Sequence, residues 1–257
     1  MIKISAVILT LDEEDNIERC LQSVRDVADE IVVVDSFSKD DTESICRKYK
    51  VNFRQHAFTG FIEQKNWATA QAAHDHILSI EGDEAISDPL KQSILNVKHD
   101  WDRDAYYFNR CTRYCGKWIT HTDWYPDRKL RLFDRRKGQF GGTNPHDRFI
   151  PAPGATKRQL KGDLHHYAFN SISEHILLAN RYSDIKARLA YAAGKKCRWY
   201  HMVFHPPFKF IRSYVLKLGF MDGFHGMVIS AVNAFSNFLK YAKLRRLQNE
   251  KIISEDD

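Results

Sequence analysis

An α/β fold is predicted here: a mixed, mainly parallel sheet with helices on both faces and a C-terminal amphipathic helical extension. Three observations point to it. Short apolar, β-branched runs alternate with segments of helical period through the first third of the chain. Three such βα units fit within residues 4–84, the pattern of right-handed crossovers between parallel strands. Each of three strand ends carries polar or acidic residues, Thr10 to Glu13, Asp35 to Ser38 and Glu81 to Glu84, and ligands of such sheets sit beyond the carboxyl ends of the strands.

In chain order, ISAVILT (4–10) reads as a strand buried on both faces. Asp12 then offers an N-cap to a helix whose apolar positions Ile17, Cys20, Leu21 and Val24 recur at helical spacing. EIVVVDS (30–36) is a second buried strand, SKDDTESICRKY a capped helix and VNFRQH a third strand. FIEQKNWATAQAA is helical in composition, and DHILSIEGDE is a strand running into an acidic turn. Beyond residue 100, AYYFNRCTRY and KLRLFDRR read as β segments around a loop, and QFGGTNPHDRF as turn-rich. SISEHILLANRYSDIKARLAYAAG is a long amphipathic helix opened by a serine cap, and further apolar–basic helices follow Pro206-Pro207, broken near Gly219 and Gly223.

Composition fits a globular chain: of 257 residues, 43% are hydrophobic and 28% charged, which excludes a disordered or collagen-like protein. The net charge of +6 is uneven, with Lys195, Lys196, Arg198, Lys209, Arg212, Lys217, Lys240, Lys243, Arg245 and Arg246 crowding the last quarter. Five cysteines without framework or zinc spacing, and an N-terminus without a secretory signal, place the chain in a reducing cytoplasm. The longest uncharged C-terminal run, Gly226 to Leu239, is shorter than the roughly 20 residues of a spanning helix.

Glu81-Gly82-Asp83-Glu84 carries the strongest chemical signal. A nucleoside diphosphate leaving group carries several negative charges, and expelling it calls for a divalent cation across both phosphates. Mg²⁺ or Mn²⁺ is held by one or two carboxylates plus phosphate oxygens, which a short acidic turn at a strand end supplies.

VILTLDEEDNIERCLQSV, EIVVVDSFSKDDT and GFIEQKNWATAQAAHDHILSIEGDE together resemble family 2 glycosyltransferases of GT-A (Rossmann-like) fold. WYPDRKLRLF, the NPHDRF loop, LHHYAFNSISEHI and FIRSYVLKLGFMDGFHGMVIS narrow the resemblance to the branch with lipopolysaccharide core β-1,4-glucosyltransferases. It extends to about residue 245. The resemblance implies that Thr10, Leu11 and Glu13 line the base and ribose, that Asp35 hydrogen-bonds the base, and that Lys65 lies close to the nucleotide. Asp83 matches the last aspartate of the family's DxD motif, with Glu81 standing where the first aspartate belongs; both are candidate metal ligands, Asp83 the better one. An inverting transferase also needs a carboxylate to take the acceptor hydroxyl proton. Asp147 of NPHDRF is the leading choice, with Asp127 and Asp123 as rivals. Of His165 and His166, adjacent on a strand, only one could reach a metal. Trp118, Trp124 and Tyr125 read as packing residues, with stacking on an acceptor sugar the alternative.

The resemblance sets an organisation: residues 1–200 form the transferase domain, 1–99 its nucleotide-sugar half and 100–200 its acceptor half, and 201–257 form a basic amphipathic extension. In that extension Phe208, Phe210, Ile211, Tyr214, Leu218, Phe220 and Phe224 interleave with cations, as in a helix lying on an anionic membrane surface. The expected enzyme moves a hexose, glucose from UDP-glucose, onto a lipid-linked saccharide such as lipopolysaccharide inner core, working peripherally at the inner face of the cytoplasmic membrane. Another cell-surface polysaccharide pathway, or an impaired GT-A-fold binding protein, are the alternatives. A dinucleotide or S-adenosylmethionine enzyme would carry a glycine-rich turn after the first strand, and LTLDEEDN has none. No helix-turn-helix or RNP pattern supports nucleic-acid binding.

Overall fold

The structure, a computed structural model, describes residues 1–143 and 146–255. The chain forms two compact units: Met1–Cys111 with Asp127–Tyr167, and Thr112–Pro126 with Ala168–Asp257.

In the first unit β1 (Ile4–Thr10), β2 (Glu30–Asp35), β3 (Asn52–Gln55) and β4 (His76–Glu81) pair in parallel in the order β3-β2-β1-β4. The sheet continues through β8 (Asp127–Asp134), β6 (Ala105–Tyr114), β11 (Lys157–Phe169) and β5 (Glu84–Ile86), where the pairs β4–β8, β8–β6 and β11–β5 are antiparallel. Strand alternation divides the core. Ile4, Ala6 and Ile8 point with Val33 and Leu78 toward α1 (Ile17–Val24) and α4 (Asp88–His99). Val7, Val32, Val34 and Ile77 point the other way, toward Ala68 of α3 (Phe61–Ala70) and toward Phe140 and Phe149. Each large apolar side chain so buried stabilises the fold by roughly 1.5–3 kcal/mol.

Three local readings needed correction. Asp12 does not cap α1: it sits at φ 53°, its carboxylate accepts from the Lys39 amide at 2.7 Å, and the helix starts only at Ile17. DHILSIEGDE is two strands, β4 and β5, because the turn at Gly82-Asp83 sends the chain to a different edge, where β5 pairs with β11. QFGGTNPHDRF contains an antiparallel pair, β9 (Gly138–Thr143) and β10 (His146–Pro151), in which Phe140 faces Phe149 and Gly142 faces Asp147. The glycines hid this strand because they lower β-propensity, yet Gly138 and Gly141 lie where a Cβ would strike Ile150 atoms at 2.4 and 2.8 Å.

The second unit is built on α5 (Ile172–Ala192), α6 (Trp199–Ile211) and α7 (Gly223–Glu255). Ser171 caps α5, its hydroxyl accepting from the Glu174 amide at 3.1 Å. Ala187 and Ala190 of α5 pack with Cys197 and Leu244, which places α5 with the helical unit rather than in a domain ending at residue 200. α6 begins before Pro206-Pro207 and runs through both, forgoing two ladder bonds. The chain breaks where expected, with Leu218 in the left-handed region. Gly226 permits the return of α7, since a Cβ there would lie 1.9 Å from the Gly219 carbonyl oxygen. No single described helix is long and apolar enough to cross a membrane.

Candidate active site

The parallel strands of the first unit deliver their acidic ends to one rim. Thr10 is in register with Asp35, and Leu9 with Glu81. The Gly82 amide donates to the Leu9 carbonyl at 2.8 Å, and the Ser36 amide to the Thr10 carbonyl at 3.0 Å. The turn after β4 lies so close to the loop after β1 that a Cβ on Gly82 would meet Thr10 Oγ1 at 2.9 Å and Glu13 Cγ at 3.2 Å.

Asp35 is fully buried. Its carboxylate accepts from the Ser38 amide at 2.9 Å and from the Ser38 hydroxyl, which in turn accepts from the Asp12 amide at 2.8 Å. Asp35 therefore organises the two rim loops, and the exposed apolar residues of those loops are Leu11 and Phe37, the latter at φ 65°. An exposed phenylalanine in the left-handed region is uncommon, and its side chain was not singled out in the sequence.

Asp83 Oδ2 lies 3.1 Å from His166 Nε2. The pairing His165↔Ala85 and His166↔Glu84 between β11 and β5 sends the two histidines to opposite faces, and His166 is the one that reaches the turn. Glu13 completes this group. Burial pushes its carboxyl up to about 7; the Asn16 side-chain bond opposes the rise, the Asp83 charge adds to it and His166 counters it. Thr10 Oγ1 is buried beside them without a hydrogen-bond partner among the described residues.

A second group runs behind the turn as a chain of alternating charge. Lys65 Nζ donates to Glu81 Oε1 at 2.9 Å and to Asp147 Oδ2 at 2.7 Å. Arg131 donates to the same Glu81 oxygen at 2.7 Å and lies 3.5 Å from Glu84. Arg110 is 3.4 Å from Glu84 and 2.9 Å from Asp127, which Lys129 approaches at 3.1 Å. Burial would push the Glu81 carboxyl up, but the Arg131 and Lys65 cations outweigh it and hold it well below the usual carboxylate range.

Three consecutive residues of α3 place this machinery. Gln64 bonds His56 at 2.7 Å and Ser36 at 3.2 Å, steadying the loops after β2 and β3. Lys65 ties Glu81 to Asp147. Asn66 exchanges two 2.9 Å bonds with the Phe140 backbone, fastening the β9–β10 pair that carries Asp147. Successive helical residues diverge by about 100°, so one turn reaches three loops.

The structure thus brings Thr10, Glu13 and Asp83 together and joins Lys65, Glu81, Asp147 and Asp127 through Arg131 and Arg110. The two arginines escaped the sequence reading. Arg131, set within the apolar run Leu130, Leu132 and Phe133 of β8, was the available signal; in the structure it is 5% exposed, and a buried arginine requires carboxylate partners. Trp124 packs on Phe169 at 5.2 Å and against Tyr114 and His175 within the second unit, as a packing residue does. Asp123 pairs with Lys209 at 2.5 Å in that same unit.

Residues 5–156 match the family described as Glycosyl transferase family 2. The chain is a member of that family. A curated relative is the lipopolysaccharide core biosynthesis glycosyltransferase LpsC of Rhizobium meliloti, 29% identical over 248 residues, covering 94% of this chain and 91% of that one. An uncharacterised glycosyltransferase of Rickettsia bellii is 30% identical over 259 residues, covering 95% and 87%. Among solved structures, the fold is shared with glucosyl-3-phosphoglycerate synthase from Mycobacterium tuberculosis in complex with Mn²⁺, UDP and phosphoglyceric acid. That match has a TM-score of 0.50 at 16% identity and covers 76% of this chain and 80% of that one. This glycosyltransferase accordingly presents its acidic rim where GT-A folds present theirs, at the carboxyl ends of the parallel strands.

Proposed function

We propose that this family 2 glycosyltransferase is an inverting enzyme that moves a hexose, glucose from UDP-glucose, onto a lipid-linked saccharide such as lipopolysaccharide inner core. The observation that carries the reading is the approach of Asp83 to His166 beside Glu13 at the parallel-strand rim. Around this rim and the chain behind it six carboxylates (Glu13, Glu81, Asp83, Glu84, Asp127, Asp147) face four cations (Lys65, Arg110, Lys129, Arg131). Such an excess of negative charge suits a divalent cation. Among the described residues no three His, Cys, Asp or Glu side chains are grouped to hold a metal by themselves. Asp83 and His166 fit an ion whose remaining ligands are diphosphate oxygens. The relative named for lipopolysaccharide core biosynthesis supports the acceptor class, and the fold neighbour described with Mn²⁺ and UDP supports the donor and the metal.

In this reading Asp83 and His166 would hold Mg²⁺ or Mn²⁺, which would supply the positive charge that offsets a leaving diphosphate. Glu81, its Oε1 already accepting from two cations, sets the charge of the turn from behind instead of ligating. Leu11 and Phe37 flank the base, and Asp35 keeps their loops in place. Asp147, 11% exposed and fixed by Lys65, takes the acceptor hydroxyl proton as the sugar carbon is attacked from the opposite face. Asp127, bound between Arg110 and Lys129, is the weaker base because two cations compete for its lone pairs.

Peripheral attachment to the inner face of the cytoplasmic membrane belongs to the same proposal. Phe208, Ile211, Leu218, Phe220 and Phe224 are 44–61% exposed, an apolar face that anionic headgroups would cover with the neighbouring lysines at their level. The test is UDP release from UDP-glucose with inner-core lipopolysaccharide as acceptor. Asp147→Asn should bind UDP normally and release almost none. Wild-type turnover by that variant would remove Asp147 from the mechanism, and undiminished turnover in EDTA would remove the metal.

A further inference from the structure

The second unit carries an open pocket of about 550 Å³, lined by none of the residues assigned above to the transfer reaction. Four cations from three helical segments line it: Lys186 of α5, Lys209 at the end of α6 with Arg212 just beyond it, and Lys240 of α7. Asp123 is the sole carboxylate among the lining residues, and it is already engaged, 2.5 Å from Lys209 Nζ and 3.5 Å from Arg212. Lys186 and Lys240 have no carboxylate within ion-pair distance among the described residues. Lys186 lies at an exposed position and Lys240 is half-buried; partial desolvation and then cationic neighbours, Lys209 for Lys186 and Lys195 and Lys186 for Lys240, disfavour their ammonium groups. Two acceptors on the lining, Asn237 Oδ1 of α7 and Asp123 Oδ1, are buried with no hydrogen-bond partner among the described residues.

Like charges gathered around a concavity raise the free energy of the empty site and lower it when an anion enters. We propose that this cavity is a binding site for a phosphate-bearing group with a neighbouring hydroxyl, as in a phosphorylated sugar or a phospholipid headgroup. Lys209 and Arg212 already share Asp123, so the incoming anion answers Lys186 and Lys240 first; a phosphate or pyrophosphate brings more charge and more acceptor oxygens to them than a carboxylate does. The hydroxyl would donate to Asn237 Oδ1, and the volume matches a small-molecule ligand. The site lies wholly within the helical unit, and its occupancy does not depend on the transfer reaction proposed above.

The test uses the full chain in EDTA, which silences metal-dependent binding at the Asp83 rim. Two probes are titrated: inorganic pyrophosphate, and phosphatidylcholine vesicles doped with phosphatidic acid. Wild type should bind at least one of them, and Lys186→Ala with Lys240→Ala should weaken that binding by about tenfold or more. The thermal midpoint of this double variant without ligand should not fall, because like-charge repulsion has been removed. Binding of pyrophosphate identifies a soluble phosphate ligand, and binding of vesicles alone identifies a headgroup. If the double variant does not fold, Lys186→Gln, at an exposed position, replaces it with the same expectation in sign. Failure of wild type to bind either probe, or equal binding by wild type and variants, overturns the proposal. UDP binding with Mn²⁺, measured in parallel, reports the other site and separates the two outcomes.

Discussion

The two units handle charge in opposite ways. At the rim of the first, every cation near the acidic turn is committed: Lys65, Arg131 and Arg110 each bridge two carboxylates. In the helical unit, four cations converge on a cavity with one carboxylate between them. The first arrangement holds loops in place and leaves an acidic remainder, Glu13 with Asp83, for a cation. The second leaves a basic remainder for an anion. In both cases the uncompensated charge, rather than the number of ion pairs, marks where a ligand is expected, because a paired charge has already been neutralised by the fold.

Experiments on the first unit should show the largest effects. Asp83→Asn removes the carboxylate that lies 3.1 Å from His166 and should lower kcat/KM by about a thousandfold, the few kcal/mol that metal charge stabilisation supplies. Initial rates measure this, and a loss below tenfold would break the distinction between the acidic remainder and the paired chain. Lys65→Ala strips a buried ammonium from Glu81 and Asp147. It should destabilise the first unit by about 3–4 kcal/mol in chemical denaturation, at the lower end for a buried pair because Glu81 is a third exposed.

The helical unit should respond to acid instead. Burial holds His175 down to about 4 from 6.5, against the opposing side-chain hydrogen bond with Asn233. A depressed folded value means the stabilisation is complete above 6.5 and disappears as pH falls toward 4, by up to about 3 kcal/mol. Trp124 fluorescence, reporting on the ring packed beside His175, follows this loss during denaturation at stepped pH. Gly82→Ala sharpens the picture on a smaller scale. Its Cβ would press on Thr10 Oγ1 and Glu13, costing about 1–3 kcal/mol and weakening nucleotide binding more than fold stability.

Much of the rim was legible in the sequence because parallel βα units leave a strong local signature. β1, β2 and β4 are short strands with mostly apolar, β-branched centres, and the acidic residues at or after their ends must lie at one edge once the strands are parallel. What joins that edge to its supports was not legible. Lys65 meets Asp147 across 82 residues of sequence and Arg131 meets Glu81 across 50, and nothing local to any of these positions names its partner. The choice between His165 and His166 needed the register of β11 on β5, which is set by tertiary pairing. The β9–β10 pair was masked by its glycines, whose use as strand residues depends on Ile150 and Phe149 lying against them. The division of the chain was blurred for a related reason: the residues that tie α5 to α7 are mostly small, such as Ala187 and Ala190, and carry no compositional contrast.

Thermal denaturation with UDP in the presence and absence of Mn²⁺, on wild type and Asp83→Asn, tests the central claim most directly. A ligand that binds only the native state raises its midpoint by mass action. UDP should raise the midpoint of wild type only when Mn²⁺ is present, and Asp83→Asn should lose that increment while unfolding at the same temperature without ligand. A shift that needs no metal, or one that survives in Asp83→Asn, would contradict a cation held at Asp83.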